Sequence, residues 1–336
     1  MVGVHFLGQS KVSVDEVDKP QPEGTHVVVK LHAAGICGTD RHHLLLDGQT
    51  PIPGHENSGE VVAVDKPSWL HVGDRVAINC HITCGACEHC LRGDLYFCDQ
   101  LTVPGEDIDG GFAEYLRIPE SNCMSLPDDI SYDQGALLVD VLGTAFRGIK
   151  RAGLIPGQQI AIWGAGLIGY EAALVAKTLG CRIAIFEMNL YRQAMAMRDL
   201  EPELVLDPTC PDAEKEILEW TNGRGIGVGF ECVGSEKAAQ QAIRLIEKRG
   251  KLAIIGVSHS LTLNPWTMIE KELSIFASRN FNTHEFYEMV ALIRAGMQPE
   301  KVITHRFGIA DAQKAFEVFL KGDCGKIVFS SKQQGY

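Results

Sequence analysis

The 336-residue chain has no stretch approaching the roughly 18 consecutive apolar residues that a membrane-spanning helix needs. Its opening segment, MVGVHFLGQSKVSVDEVDKP, alternates in the manner of a strand and lacks the apolar block of a signal peptide. The expectation is a soluble, cytoplasmic protein with no membrane partner. Basic residues are in deficit: 31 Lys and Arg stand against 43 Asp and Glu, a formal charge of -12. That balance argues against a phosphate-neutralising face and so against nucleic acid as a partner. Neither an internal repeat of 20 to 50 residues nor a low-complexity linker is present, which excludes a solenoid or repeat array. With 45% hydrophobic and 22% charged residues and 35 glycines, the composition is that of a loop-rich globular α/β chain. At about 100–200 residues per domain the length suggests two.

Cysteine is not scarce. Of eleven, four crowd between positions 84 and 98. An odd number without a secretion signal favours metal binding over disulfides. Cys84, Cys87, Cys90 and Cys98 form C-x2-C-x2-C-x7-C, which suits tetrahedral Zn(II) in a closed shell that staples a loop. An iron–sulfur cluster is the other occupant such a ligand set serves. His81 and His89 flank the lobe and are surplus to it.

Three stretches differ in rhythm. Residues 1 to about 140 carry short alternating runs, HVVVKLHAAG, SGEVVAVD and DRVAIN, broken by Gly, Pro and Asp, and read as a β-rich, barrel-like unit with long loops. From 141 to 280 strand, turn and helix alternate, with apolar strands expected near Leu204, Val228, Leu252 and Ser274, which predicts a doubly wound parallel sheet. From 281 the chain returns to two helices and a closing strand, KIVFS.

Within the second stretch, Gly164, Ala165, Gly166, Leu167, Ile168 and Gly169 spell G-x-G-x-x-G directly between the strand IAIW and an apolar helix. The first glycine permits a tight turn, the second lets a pyrophosphate approach the backbone, and the third lets helix pack on strand. The helix N-terminus then meets the phosphates. Glu187 ends the next strand, where a carboxylate accepts hydrogen bonds from the adenosine ribose hydroxyls and repels a 2'-phosphate. NAD is therefore expected over NADP. Arg192, five residues on, is able to accommodate a phosphate and so tempers that preference. In the first stretch Cys37, His55, Glu56 and Asp140 supply a thiolate, an imidazole and two carboxylates, separated in sequence and chemically matched to a metal site.

Jointly, GICGTD at 35–40, GHE at 54–56, the four-cysteine lobe, GAGLIG at 164–169 and ITHRF at 303–307 resemble the zinc-dependent medium-chain dehydrogenases, a family that includes alcohol, sorbitol and threonine dehydrogenases. The resemblance spans essentially the whole chain. It implies a GroES-like catalytic domain formed by residues 1–140 and 281–336, with the structural zinc lobe at about 80–100. A Rossmann NAD-binding domain is implied at 141–280, and the catalytic zinc in a cleft at their junction. Two Zn(II) ions and NAD are thus the implied cofactors. Cys37 and His55 match ligands of the catalytic zinc; Glu56 matches a glutamate that ligates the metal or lies just behind it. Asp140 stands where alcohol dehydrogenases use cysteine and polyol or threonine enzymes carry an acid, and it binds zinc directly or through water. Asp40 resembles the acid that holds the histidine ligand in its tautomer. Thr39 and His42 match the family's proton relay.

Zinc stabilises the alkoxide that expels hydride to the nicotinamide, the chemistry this resemblance implies. Asp140 and the segment Ser278, Arg279 and Asn280 resemble polyol and sugar-acid dehydrogenases, with Arg279 contacting substrate or else making a structural pair. HITCG at 81–85 and ITHRF resemble threonine dehydrogenase. The favoured expectation is an NAD-linked oxidoreductase converting a polyol, cyclitol or sugar acid to its ketone. L-threonine 3-dehydrogenase is the alternative, and a non-catalytic nucleotide-binding partner protein is the alternative of another class. The apolar edge strand ELSIFAS, which would otherwise lie open, leads to the expectation of a homodimer or homotetramer.

Overall fold

The computed structural model describes residues 1–45, 51–257 and 260–330. The chain divides into two compact units, one comprising residues 1–140, 282–290 and 303–336, the other residues 141–281 and 291–302.

The first unit opens with an antiparallel hairpin, β1 (Val2–Gly8) and β2 (Lys11–Glu16). There follow β3 (His26–Gly35), α1 (Asp40–Leu45), β4 (Glu56–Ala63), β5 (Arg75–Ile78), α2 (Glu88–Arg92), β6 (Tyr115–Pro119), β7 (Cys123–Ser125) and α3 (Tyr132–Leu138). The second unit contributes α4 (Val141–Ala152), β8 (Gln159–Trp163), α5 (Leu167–Thr178), β9 (Arg182–Phe186), α6 (Leu190–Leu200), β10 (Leu204–Leu206) and α7 (Ala213–Trp220). It continues through β11 (Ile226–Glu231), α8 (Glu236–Leu245), β12 (Ile246–Ile254), α9 (Pro265–Lys271) and β13 (Ser274–Ala277). Helix α10 (Thr283–Arg294) is divided between the units, and β14 (Ile303–Phe307), α11 (Ala312–Lys321) and β15 (Lys326–Ser330) return to the first.

The seven-stranded sheet of the first unit runs β14-β15-β3-β4-β5-β7, with β6 also paired to β3. Its cores follow from alternation. Val27, Val29 and Leu31 of β3 meet Val61, Val76 and Leu116 in one buried cluster, while Ala34 and Ile36 belong with Phe112, Phe316 and Phe329 in another. The sheet also does the positioning work: register pairs Gly35 with Glu56 and Gly35 with Val328, so the ends of β3, β4 and β15 converge.

In the second unit six parallel strands run β10-β9-β8-β11-β12-β13. Ile160 to Trp163 of β8 are all buried, as a central parallel strand covered on both faces requires. The doubly wound order places the strand reversal between β8 and β11, where such sheets bind ligands at their carboxyl edge. Among the described residues no helix is long and apolar enough to cross a membrane.

The close spacing of β3 and β4 makes a checkable demand. A Cβ on Gly59 would lie 2.1 Å from the Lys30 carbonyl oxygen. Gly59→Ala should lower stability by about 1–3 kcal/mol through overpacking. A lower thermal midpoint is the expected reading; an unchanged one would show that the strands separate freely.

Candidate functional site

Two groups of side chains among the described residues are arranged to hold a metal ion: Cys37, His55, Glu56 and Asp140, and Cys84, Cys87, Cys90 and Cys98, each with donor atoms within 4.8 Å of one another.

The first group is assembled by strand ends. Cys37 follows β3, His55 precedes β4 and Glu56 opens it, and Asp140 lies between α3 and α4. Asp140 Oδ2 lies 3.4 Å from Cys37 Sγ and 3.7 Å from His55 Nε2. Asp40, 1% exposed, accepts the Cys37 backbone N–H at 2.8 Å. It thereby fixes the turn that presents the sulfur, and it acts on His55 through charge. Burial, then the Asp140 charge, push the Cys37 thiol up. Burial opposes a charged His55, yet the Cys37 sulfur and the Asp140 carboxylate lift its imidazole well above the ordinary value. Burial likewise opposes the Asp140 anion, but hydrogen bonding and charge from His55 hold its carboxyl far below the usual range. These donors crowd acidic groups around one imidazole, an arrangement that a divalent cation would satisfy. Sulfur, imidazole and carboxylate are donors that zinc accepts.

Lys326 is the residue that sequence reasoning missed. It opens β15 and pairs with Glu56, and both side chains are 0% exposed. Burial raises Glu56 to about 7, with Lys326 acting against that rise. A Cβ on Gly35 would fall 2.6 Å from Lys326 Cε, so the ion pair occupies the space a side chain would fill. The one available signal was a lysine at the head of the otherwise apolar KIVFS.

In the lobe the Cys87 and Cys90 sulfurs are 3.5 Å apart and those of Cys84 and Cys90 3.9 Å. Four sulfurs at about 2.3 Å from a tetrahedral zinc stand roughly 3.8 Å from one another. Backbone N–H groups of Cys84 and Gln100 donate to Cys98 Sγ, and that of Cys87 to Cys84 Sγ, each at 3.3 Å. The N–H groups of Cys90 and Asp99 lower Cys87 to about 6, whereas burial raises Cys90 to about 11. All eleven cysteines are free of disulfides. His81 is buried beside Cys80, its Nδ1 3.5 Å from the Cys80 sulfur, and His89 packs near Phe97.

Thr39 and His42, expected to relay the proton, are exposed on one turn, with the His42 N–H donating to Thr39 O at 3.0 Å.

In the second unit Gly164 has φ +90°, and its N–H donates to Phe186 O at 2.7 Å. A Cβ on Gly169 would lie 1.8 Å from Gly164 O, while one on Gly166 would meet only Arg192 Nη1 at 3.8 Å. The middle glycine is therefore open to a ligand and the third is closed by packing. Leu167 and Ile168 form the first turn of α5 behind it. A cavity of about 820 Å3 lies against this turn, lined among others by Trp163, Glu187, Arg192 and Arg244. Glu187 spans two turns: Oε2 accepts from Ala165 N at 2.7 Å, and Oε1 from Met188 N at 2.9 Å and Asn189 N at 2.8 Å. Arg279 is exposed just beyond the carboxyl end of β13, between buried Ser278 and Asn280, the latter at φ +50°.

Residues 23–128 match the alcohol dehydrogenase GroES-like domain and residues 168–295 the zinc-binding dehydrogenase model. The L-threonine 3-dehydrogenase of Klebsiella pneumoniae is 35% identical over 340 residues, covering 96% of this chain and 98% of that one. The chain belongs to the zinc-dependent medium-chain dehydrogenase family. An alcohol dehydrogenase from Thermus sp. ATN1 is 27% identical with a TM-score of 0.92, covering 99% and 100% of the two chains. The 2R,3R-butanediol dehydrogenase of Bacillus subtilis is 25% identical with a TM-score of 0.89 over 98% and 99%.

Two expectations for this dehydrogenase follow. Lys326→Met should destabilise it by about 3–5 kcal/mol, because a buried carboxylate is left without its partner; adding Glu56→Leu should recover most of the loss in a urea titration. Glu187→Ala should relax the discrimination against NADP and also weaken NADH binding at least about tenfold, since charge-assisted bonds to two turns are lost. A fluorescence titration in which neither value moves would remove Glu187 from the site.

Proposed function

We propose that this dehydrogenase transfers a hydride between NAD and a secondary alcohol that is a polyol, cyclitol or sugar acid, giving the ketone. The observation that carries the catalytic part is the cluster of Cys37, His55, Glu56 and Asp140, whose donors lie within 4.8 Å of one another beside the buried Glu56–Lys326 pair. When bound, zinc supplies Lewis acidity to the substrate oxygen and the nicotinamide supplies the hydride acceptor.

The remaining work falls to the chain. Cys37, His55 and Asp140 hold the metal, and Lys326 restrains Glu56 behind them. The Thr39 hydroxyl takes the substrate proton and passes it towards His42, whose exposed ring releases it to water. Backbone N–H groups at Gly166 and the first turn of α5 receive the pyrophosphate. Glu187, already anchored by three backbone amides, keeps lone pairs for the ribose hydroxyls and repels a 2'-phosphate. Arg192 lies over the glycine turn on the phosphate side. Arg279, exposed at a sheet edge where such folds bind ligands, suits a hydroxyl-rich or carboxylate-bearing substrate.

A second reading, L-threonine 3-dehydrogenase, is favoured by the Klebsiella relative, which matches along nearly the whole chain. A panel of polyols, cyclitols, aldonic acids, simple alcohols and L-threonine, followed by NADH absorbance, separates the two. The highest kcat/KM is expected on a polyol, cyclitol or sugar acid; L-threonine at the head of the panel would install the second reading. Cys37→Ser should remove one of two zinc ions and abolish turnover while NADH still binds. Two zinc ions retained in that variant would overturn the metal assignment, and one zinc per parent chain with no turnover on any substrate would indicate a non-catalytic nucleotide-binding protein.

A further inference from the structure

Of the cluster donors, Asp140 alone follows a helix. Cys37 and the His55–Glu56 pair are set by the β3–β4 ladder, whereas Asp140 stands in the two-residue turn between the seven-residue α3 and the start of α4 at Val141. A helix that short does not hold its own place; contacts with the sheet must do so.

The second half of α3 is buried through Gly135, Ala136, Leu137 and Leu138, and its polar contacts gather at the first turn. Ser58 Oγ of β4 donates to Tyr132 O at 2.5 Å. The Tyr132 ring stacks on His32 of β3 at 4.5 Å and 18°, and the Arg75 guanidinium of β5 lies 4.6 Å from the same ring. From β14, Arg306 Nε donates to Asp133 Oδ2 at 2.8 Å, with side chains only 23% and 20% exposed. Arg306 belongs to the ITHRF segment, which nothing in the proposed chemistry uses.

We infer that the Arg306–Asp133 pair is a positioning latch: it fixes the tilt of α3, and so sets where Asp140 stands and how tightly the cluster holds its cation. This rests on the reading of that cluster as the catalytic zinc site. The lever explains why a contact so far along the helix matters. From Asp133 to Asp140 is seven residues, about 10 Å at 1.5 Å per residue. A tilt of roughly 3° then moves the carboxylate by about 0.5 Å, beyond the ±0.2 Å within which metal–ligand distances are held. An ordinary surface ion pair would instead contribute little to folding and nothing specific to the metal.

The zinc-loaded full chain tests this, with the lobe zinc as internal control. Release of both ions into a chromogenic chelator is timed for the parent, Arg306→Gln, Asp133→Asn, the double variant and Arg306→Lys; Cys90→Ser identifies the lobe phase. The cluster zinc should leave about tenfold faster in each single variant, in the range known for residues behind metal ligands. The double variant should be no faster, Arg306→Lys should restore part of the difference, and the lobe rate should not change. A cobalt-substituted cluster should show a shifted visible spectrum in the same variants. Cluster release at the parent rate, or equal acceleration of both ions, overturns the latch. A parent protein holding a single zinc overturns the cluster reading itself, and the latch with it.

Discussion

A buried surplus of acid is the constraint on which the first unit depends. The Cys37 thiol and the carboxylates of Asp40, Glu56 and Asp140 converge at the ends of β3, β4 and α3, and Lys326 is buried among them. Carrying several like charges out of water is prohibitive unless cations accompany them. Lys326 supplies one, and the donor set of Cys37, His55 and Asp140 offers a place for a second. Metal binding and the stability of this unit are therefore one equilibrium viewed from two sides, because a cation bound to the folded donors stabilises them by mass action.

The second unit buries acids by another route. Glu187 is satisfied by the backbone N–H groups of Ala165, Met188 and Asn189, and Glu231 by those of Val233 and Gly234 at 3.0 and 2.9 Å. Amides leave a carboxylate charged without cancelling its charge. Both acids thus tie loops at the carboxyl edge of the sheet, and Glu187 also lines the cavity there. Trp163, stacked on Phe186 at 4.8 Å and donating to Gln241 Oε1 at 3.1 Å, gives that wall a rigid floor.

Local chemistry was legible in the sequence where the residues lie within one turn. The glycine motif, the four-cysteine lobe and the strands near Leu204, Val228, Leu252 and Ser274 are features of this kind, since spacing alone dictates their geometry. Glu187 stands out by its distance from Gly164, but its bonds to two loops do not, because a carboxylate's choice among backbone donors depends on how those loops fold together. Lys326 was invisible for a different reason. Its partner lies 270 residues earlier, and a lysine heading a strand reads as a solvated end unless β15 is known to neighbour β3. The Arg306–Asp133 pair has the same character, joining β14 to the start of α3 across 173 residues.

Asp140 shows how charge and geometry constrain each other. A carboxylate in place of a thiolate carries the same charge, so the balance with Lys326 survives the exchange. The two groups differ in direction: a sulfur offers lone pairs over a broad range, whereas a carboxylate presents its oxygens in a plane and hydrogen-bonds or ligates through one of them. Here Oδ2 faces both Cys37 Sγ and His55 Nε2. A planar ligand on a short helix tolerates less wobble than a sulfur would, and α3 is correspondingly fastened by strands β3, β4, β5 and β14. If Asp140 ligates the metal, the acid at position 140 and the fastening of α3 before it serve one end, since a harder ligand requires a stiffer support.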